Sequence, residues 1–172
     1  MLQEQTPTQD QNTNWGQNEY VVIHYMANNQ AMNNNYVDAK GNNIATFKVT
    51  GKTDQTVDTN AQIPAGWVLV SGQTDAPAKV TFGGTPLSDI NIKIEHGMQT
   101  VPHTNPIPSD GKTSSGQPIK GAHDADLNQT IVRTINITEP GQATKTITQT
   151  AKIYRDATVD EVTGDVTYDP WS

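Results

Sequence analysis

Four histidines, His24, His96, His103 and His123, are the side chains whose type suits metal binding or proton transfer. Their spacing fits no zinc pattern. Two fall in apolar runs and two in polar connections, so each reads as a solvated or strand-face imidazole. Carboxylates cluster at Asp124-Ala125-Asp126 and at Asp160-Glu161. A calcium ion needs about six to eight oxygens, and neither run has an EF-hand register, so solvated carboxylates are the simpler reading and calcium the alternative. The chain has no Gly-x-Ser-x-Gly elbow, phosphate-cradling glycine loop or His-Glu-x-x-His helix. Cysteine is absent, which removes disulfides, thiolate zinc sites and cysteine nucleophiles. No nucleophile, base and orienting group can be picked out together, so a non-catalytic protein without a cofactor is expected.

Binding chemistry is left. Sugars are held by amide and hydroxyl hydrogen bonds together with stacking of the pyranose ring on an aromatic face. One stretch concentrates both: Trp15, Tyr20, Tyr25 and Tyr36 flank Asn28, Asn29, Gln30, Asn33, Asn34 and Asn35. These residues form the candidate ligand surface. A competing reading packs the aromatics into a small core and leaves the asparagines as a flexible loop. Trp67 and Trp171 read as core and domain-junction residues. Asn128-Gln129-Thr130 and Asn136-Ile137-Thr138 are formal glycosylation sequons, readily produced by chance where Asn and Thr abound.

Positioning falls to a chain of 172 residues with formal charge −7, in which Thr, Asn and Gln supply about three residues in ten. The acidic balance opposes nucleic-acid binding and polybasic attachment to a membrane. No window reaches the roughly 18 apolar residues of a membrane span, and no charged and then apolar leader opens the chain. For an exported protein, signal and anchor would lie outside these residues. Leucine occurs only at positions 2, 69, 87 and 127, while Val, Ile and Thr dominate, which favours pleated structure over helical bundles.

Met1 to Asn14 reads as a disordered lead, followed by a first domain over residues 15–100. Within it, Tyr20 to Tyr25 is a short apolar run, and Ala27 to Asn35 reads as an insertion after it. Tyr36-Val37 and the strand ending at Thr50 make a hairpin about Asp38-Ala39-Lys40-Gly41. Thr53 to Ile63 is expected to hold a short helix, before strands at Trp67 to Val70 and Asp89 to His96. That order describes a β-grasp arrangement. Residues 101–120, rich in Pro, Gly and Ser, read as an extended connection. Residues 121–172 form a second small β domain. It is expected to have a helical turn within His123 to Asn128 and then a three-stranded meander, in which Ile147, Ala151 and Ile153 mark a buried face. So thin a core should lean on the preceding connection or on a neighbour. The fold class is thus β-dominated α+β: two small β-grasp-like (ubiquitin-like) domains end to end, with antiparallel and mixed sheets and short helices.

Several segments are family-like. Val49-Thr50-Gly51-Lys52-Thr53, followed by Pro64-Ala65-Gly66-Trp67-Val68-Leu69-Val70-Ser71, resembles a pattern of the mucin-binding (MucBP, Mub-type) repeats of lactobacillus surface adhesins. Leu127 to Ile135, Thr148 to Ala151, Ala157 to Tyr168 and Trp171-Ser172 resemble the tail of those repeats, so the likeness covers roughly residues 36–172. It implies a cell-wall-anchored adhesin of tandem copies that binds host mucin glycoproteins and, in some members, immunoglobulins. Two departures stand out: the Asn-rich segment, and Trp67 where Tyr is more usual.

The resemblance brings no motif-borne binding residues. Each copy is expected to bind weakly and to gain by avidity with adjacent repeats, through the Asn-rich surface or by strand addition at a sheet edge. The alternative is a passive stalk that merely projects another domain. Because mucin is acidic, long-range steering cannot supply affinity, and carboxylate protonation between pH 7 and pH 5 is expected to strengthen binding.

Overall fold

The computed structural model describes residues 3–4 and 25–172. Its elements in order are β1 (Gln3–Glu4), β2 (Tyr25–Met26), β3 (Asn29–Val37), β4 (Asn43–Lys52), β5 (Thr56–Asp58), β6 (Trp67–Leu69), β7 (Lys79–Thr81), β8 (Ile90–His96) and β9 (Met98–Val101). Then come α1 (Asp124–Leu127), β10 (Asn128–Ile137), β11 (Lys145–Tyr154), β12 (Ala157–Asp160) and β13 (Val166–Tyr168). Two compact units emerge: Met1–Ile63 with Leu69–Ile94, and Pro64–Val68 with Glu95–Ser172.

In the first unit, β3 and β4 form the expected hairpin, and Gly41 supplies the left-handed residue its turn needs, at φ +84°. The sheet order is β4-β3-β8-β6, with β3 parallel to β8. Hydrophobic period two sends Met32, Val49, Ile92 and Ile94 inward, where Met32 and Val49 pack with Phe82 and the half-buried Val57, Val80, Leu87 and Ile90. The Asn-rich segment is no loop or insertion. It is β3 itself, paired on both sides, because its period-two pattern places Met32, Asn34 and Tyr36 on the inner face.

Nor does Thr53 to Ile63 form a helix. Asp54 and Asn60 take left-handed conformations, φ +66° and +51°, which interrupt any helical path. The Thr- and Val-rich stretch between them pairs as β5 with β7.

The second unit holds a three-stranded sheet in the order β13-β12-β9. Its core is Val101, Ile119, Ala122, Leu127, Ala157 and Val159, with Ile107, Val166 and Tyr168 packed against it. Residues 101–120 are therefore not a free connection. Val101, Thr113 and Ile119 are buried, and the backbone is tied by Ile107 N–H to Ala122 C=O and by Ile119 N–H to Gly111 C=O. The thin core leans on that segment, as its shortage of large apolar side chains requires.

The helical turn forms at α1, where Asp126 accepts the N–H of His123 at 3.1 Å. The meander is interrupted at Arg155-Asp156: among the described residues β10 and β11 pair only with each other, while β12 joins the other sheet. Ile147 and Ala151, expected inside, are exposed, because no second layer among the described residues lies against this ribbon.

Candidate functional site

The ten candidate ligand residues are divided by the strand geometry. Trp15 and Tyr20 lie outside the described residues, and Tyr25 is described only as backbone of β2. Asn28 and Asn29 sit at the start of β3, half-buried and exposed respectively. Asn29 and Gln30 line a shallow depression of about 590 Å³ with Ala31, Thr50, Gly51, Lys52 and Gln55. Gln30 is directed to the protein itself, donating to Gly83 C=O at 2.8 Å and to Thr53 Oγ1 at 3.1 Å.

Farther along, alternation separates neighbours. Asn33 and Asn35 face the open side of the sheet. Asn33 donates to the Asp89 carboxylate from both backbone (2.8 Å) and side chain (3.0 Å), and these bonds hold that carboxyl below the usual range. The Asn35 amide donates to Asn91 Oδ1 at 3.1 Å and accepts from the Thr46 hydroxyl at 2.9 Å. The result is a ladder of amides, hydroxyls and one carboxylate across three strands, able to exchange hydrogen bonds with a polyhydroxylated ligand.

Asn34 and Tyr36 are fully buried and cannot belong to that face. The Tyr36 ring meets Phe47 edge-on at 5.8 Å, and its hydroxyl donates to Asp75 at 2.6 Å. Burial, reinforced by Asp75, pushes the phenol far above its ordinary value. The expected cluster of aromatic and amide side chains thus separates into a core half and a surface half.

The second unit contains polar and aromatic groupings that the sequence reading left unassembled. His103 stacks on Tyr154 with centroids 4.1 Å apart, and its Nδ1 lies 2.8 Å from Asp156. Asn128, opposite Tyr154 in the ribbon, donates to His103 C=O at 2.9 Å. His96 meets Trp67 edge-on at 4.6 Å and is 2.7 Å from Asp160, while His123 hydrogen-bonds Ile107 C=O at 2.9 Å. The three described histidines are therefore each tied to a different protein partner and do not converge. His24 lies outside the described residues.

Asp124 and Asp126, weighed for calcium, accept from Asn128 and from His123 N–H. Glu161 accepts the Ser114 N–H and hydroxyl, and Asp160 accepts the N–H groups of Val162 and Thr163. No group of three or more His, Asp or Glu among the described residues is arranged to hold a metal ion. Among them, too, no helix is long and apolar enough to cross a membrane.

Charge is unevenly spread. The ribbon of β10 and β11 has three basic residues, Arg133, Lys145 and Lys152, to one acidic, Glu139, against 11 to 18 in the whole chain. The spacing of charges along the sequence already contained this signal.

Comparison with known proteins agrees with the motifs. Residues 122–172 match the family model described as a Muc B2-like domain. The crystal structure of Mub-RV is 25% identical, with a TM-score of 0.50 over 83% of this chain and 72% of that one. The type 2 repeat of the mucus binding protein MUB from Lactobacillus reuteri is 17% identical, with a TM-score of 0.41 over 83% of this chain and 75% of that one. No curated protein matches. The chain is therefore similar, by a Muc B2-like segment at its C-terminal end and by a β-dominated fold over most of its length, to the Mub-type repeats that its motifs resemble.

Proposed function

We propose that this chain is a non-catalytic adhesion repeat of an exported bacterial surface protein held at the cell wall, which binds host mucin glycoproteins. The match of residues 122–172 to a Muc B2-like domain carries this reading, and the likeness to Mub-RV supports it. A sheet order of β4-β3-β8-β6 with a parallel central pair supports reading the first unit as β-grasp-like. Within it the open ladder of Asn33, Asn35, Thr46 and Asn91, with Asn29 at the rim, is the glycan-contacting face. Such contacts need no cofactor. They are individually weak, and tandem copies raise retention by effective concentration, on the order of 10²–10⁴. Immunoglobulin chains are a second ligand class, taken by strand addition at a sheet edge.

Retention on immobilised mucin tests the reading, with one copy compared against two in tandem and against Asn33→Ala/Asn35→Ala. Tandem copies should be held far longer than one, and the double variant should lose most of that gain. A tandem chain held no better than a single copy fits a passive spacer and overturns the proposal. The same comparison on immobilised immunoglobulin separates the two ligand classes.

A further inference from the structure

Tyr154 ends β11 with 46% of its surface exposed, yet its ring is held in place. The His103 imidazole stacks on one side of it, with centroids 4.1 Å apart and planes 19° from parallel. Among the described residues no other ring lies against it. The stack is anchored in turn. Asp156 Oδ1 accepts the His103 backbone N–H and bonds His103 Nδ1, each at 2.8 Å. The Asn128 amide, opposite Tyr154 in the ladder, donates to His103 C=O and to Asp124 Oδ1, each at 2.9 Å. An aromatic side chain fixed before a ligand arrives has little freedom to lose on binding.

These bonds decide which polar groups are left over. Both donors of the Asn128 amide are used, which leaves Oδ1, an acceptor. Asp156 is ionised at neutral pH, since the backbone and ring of His103 hold it below the usual carboxylate range. His103 Nδ1 therefore carries the proton of that bond, and the neutral ring offers Nε2 as a second acceptor. Asp156 Oδ2 and Asp124 Oδ2 accept no hydrogen bond from the described residues. The ring is thus rimmed by four acceptors, and its own hydroxyl can donate or accept. Two carboxylates against one ammonium, that of Lys152 on the same strand face, leave the rim net negative.

We propose that the exposed side of Tyr154 seats a neutral, hydroxyl-rich pyranose, whose C–H face stacks on the ring while its hydroxyls donate to Asn128, Asp156 and Asp124. A rim of acceptors suits hydroxyl donors, and its carboxylates repel a sugar that bears a carboxylate or a sulfate. The site lies within the second unit and stands on its own geometry, apart from the amide ladder of the first.

Titration of the 15N-labelled full chain with methyl β-galactoside, N-acetylglucosamine or N-acetylneuraminic acid, each to about 100 mM, tests this by the positions of its amide resonances. At least one of the two neutral sugars should shift the His103, Asn128 and Tyr154 signals, with a dissociation constant of about 1–10 mM for one stacked ring and a few hydrogen bonds. The acidic sugar should bind there at least tenfold more weakly. Tyr154→Leu should weaken the neutral sugar at least fivefold. Because that change also removes the stack on His103, a second variant alters the rim alone: Asp124→Ala, at an exposed residue, should weaken it at least threefold. Neither neutral sugar moving these signals, shifts confined to Asn33 and Asn35, or an acidic sugar bound equally well overturns the proposal. So does wild-type affinity in either variant, or binding that requires added calcium chloride, which would assign the acceptors to a cation.

Discussion

His96 Nδ1 lies 2.7 Å from Asp160 Oδ2, joining the last residue of β8 to the last of β12. The other carboxylate oxygen accepts the N–H groups of Val162 (2.8 Å) and Thr163 (3.0 Å), so one side chain also closes the turn before β13. Burial pushes this carboxyl upward, but the His96 bond and the two backbone donors outweigh it and hold the group below the usual carboxylate range. Backbone and ring of His103 lower Asp156 in the same way. A carboxyl whose folded value is depressed stabilises the fold above its unfolded value, about pH 4, and that contribution is lost as pH falls through the lower folded value. The urea midpoint should therefore drop below about pH 4, and Asp160→Asn should make the drop shallower. A midpoint unchanged down to pH 2 would contradict this.

The displaced carboxylates also change what pH does to binding. Asp38, Asp89, Asp156, Asp160 and Asp165 are all shifted downward, so they stay ionised at pH 5. The gain in mucin retention anticipated from their protonation between pH 7 and pH 5 moves to lower pH. Retention at pH 5 should stay within about twofold of that at pH 7, with the rise below about pH 4. A severalfold rise already at pH 5, measured on immobilised mucin, would assign the effect to other groups.

Asn34 is fully buried in the centre of β3 with neither amide atom hydrogen-bonded, an arrangement that costs about 1–3 kcal/mol. Asn34→Leu, of similar size, should raise the unfolding free energy by about that amount without altering mucin retention. Destabilisation in a urea titration would show that the amide has a structural role.

Asn34 also shows where the sequence was legible and where it misled. Alternation alone located β4, β8 and the strands of the β10–β11 hairpin, because Val, Ile and Thr at period two have few other solutions, and Gly41 marked the turn into β4. A run of three asparagines reads as a loop by composition, yet pairing on both flanks by β4 and β8 overrides propensity and makes it a central strand. The same alternation then splits the candidate site, since adjacent strand residues cannot share a face. Residues 101–120 misled for a related reason. Prolines and glycines signal where a chain turns, not whether Ile107 and Ile119 between them find a core. The ribbon's isoleucines looked buried because period two reports that a strand has a dry side, without saying what dries it.

Gly164 sits buried at φ +74°, its N–H donating to Asp160 C=O and its C=O accepting Lys120 N–H. A methyl group there would strike the Pro118 carbonyl, whereas one on Gly141, at φ +76°, meets open space. Gly141→Ala should cost about 1–2 kcal/mol, the left-handed penalty alone, and Gly164→Ala at least about 2 kcal/mol more. Equal losses in urea unfolding would mean that the Pro118 contact yields freely.

Arg155 follows β11 and reaches three elements. Its guanidinium carbon lies 3.9 Å from the ring centre of Tyr168 and 4.3 Å from that of Trp171, while Nε donates to Asp126 C=O at 2.9 Å. A planar cation fits between two rings and spares a donor for the carbonyl that ends α1; an ammonium cannot do both. Arg155→Lys should therefore cost about 1–2 kcal/mol despite keeping the charge, and should shift the Trp171 indole N–H resonance as the ring loses its partner. Arg155→Met keeps much of the aliphatic stem and removes the charge, so it should lose a similar amount if the stacked guanidinium is what matters. Stability unchanged in the lysine variant, but lost in the methionine variant, would instead assign the stabilisation to charge alone.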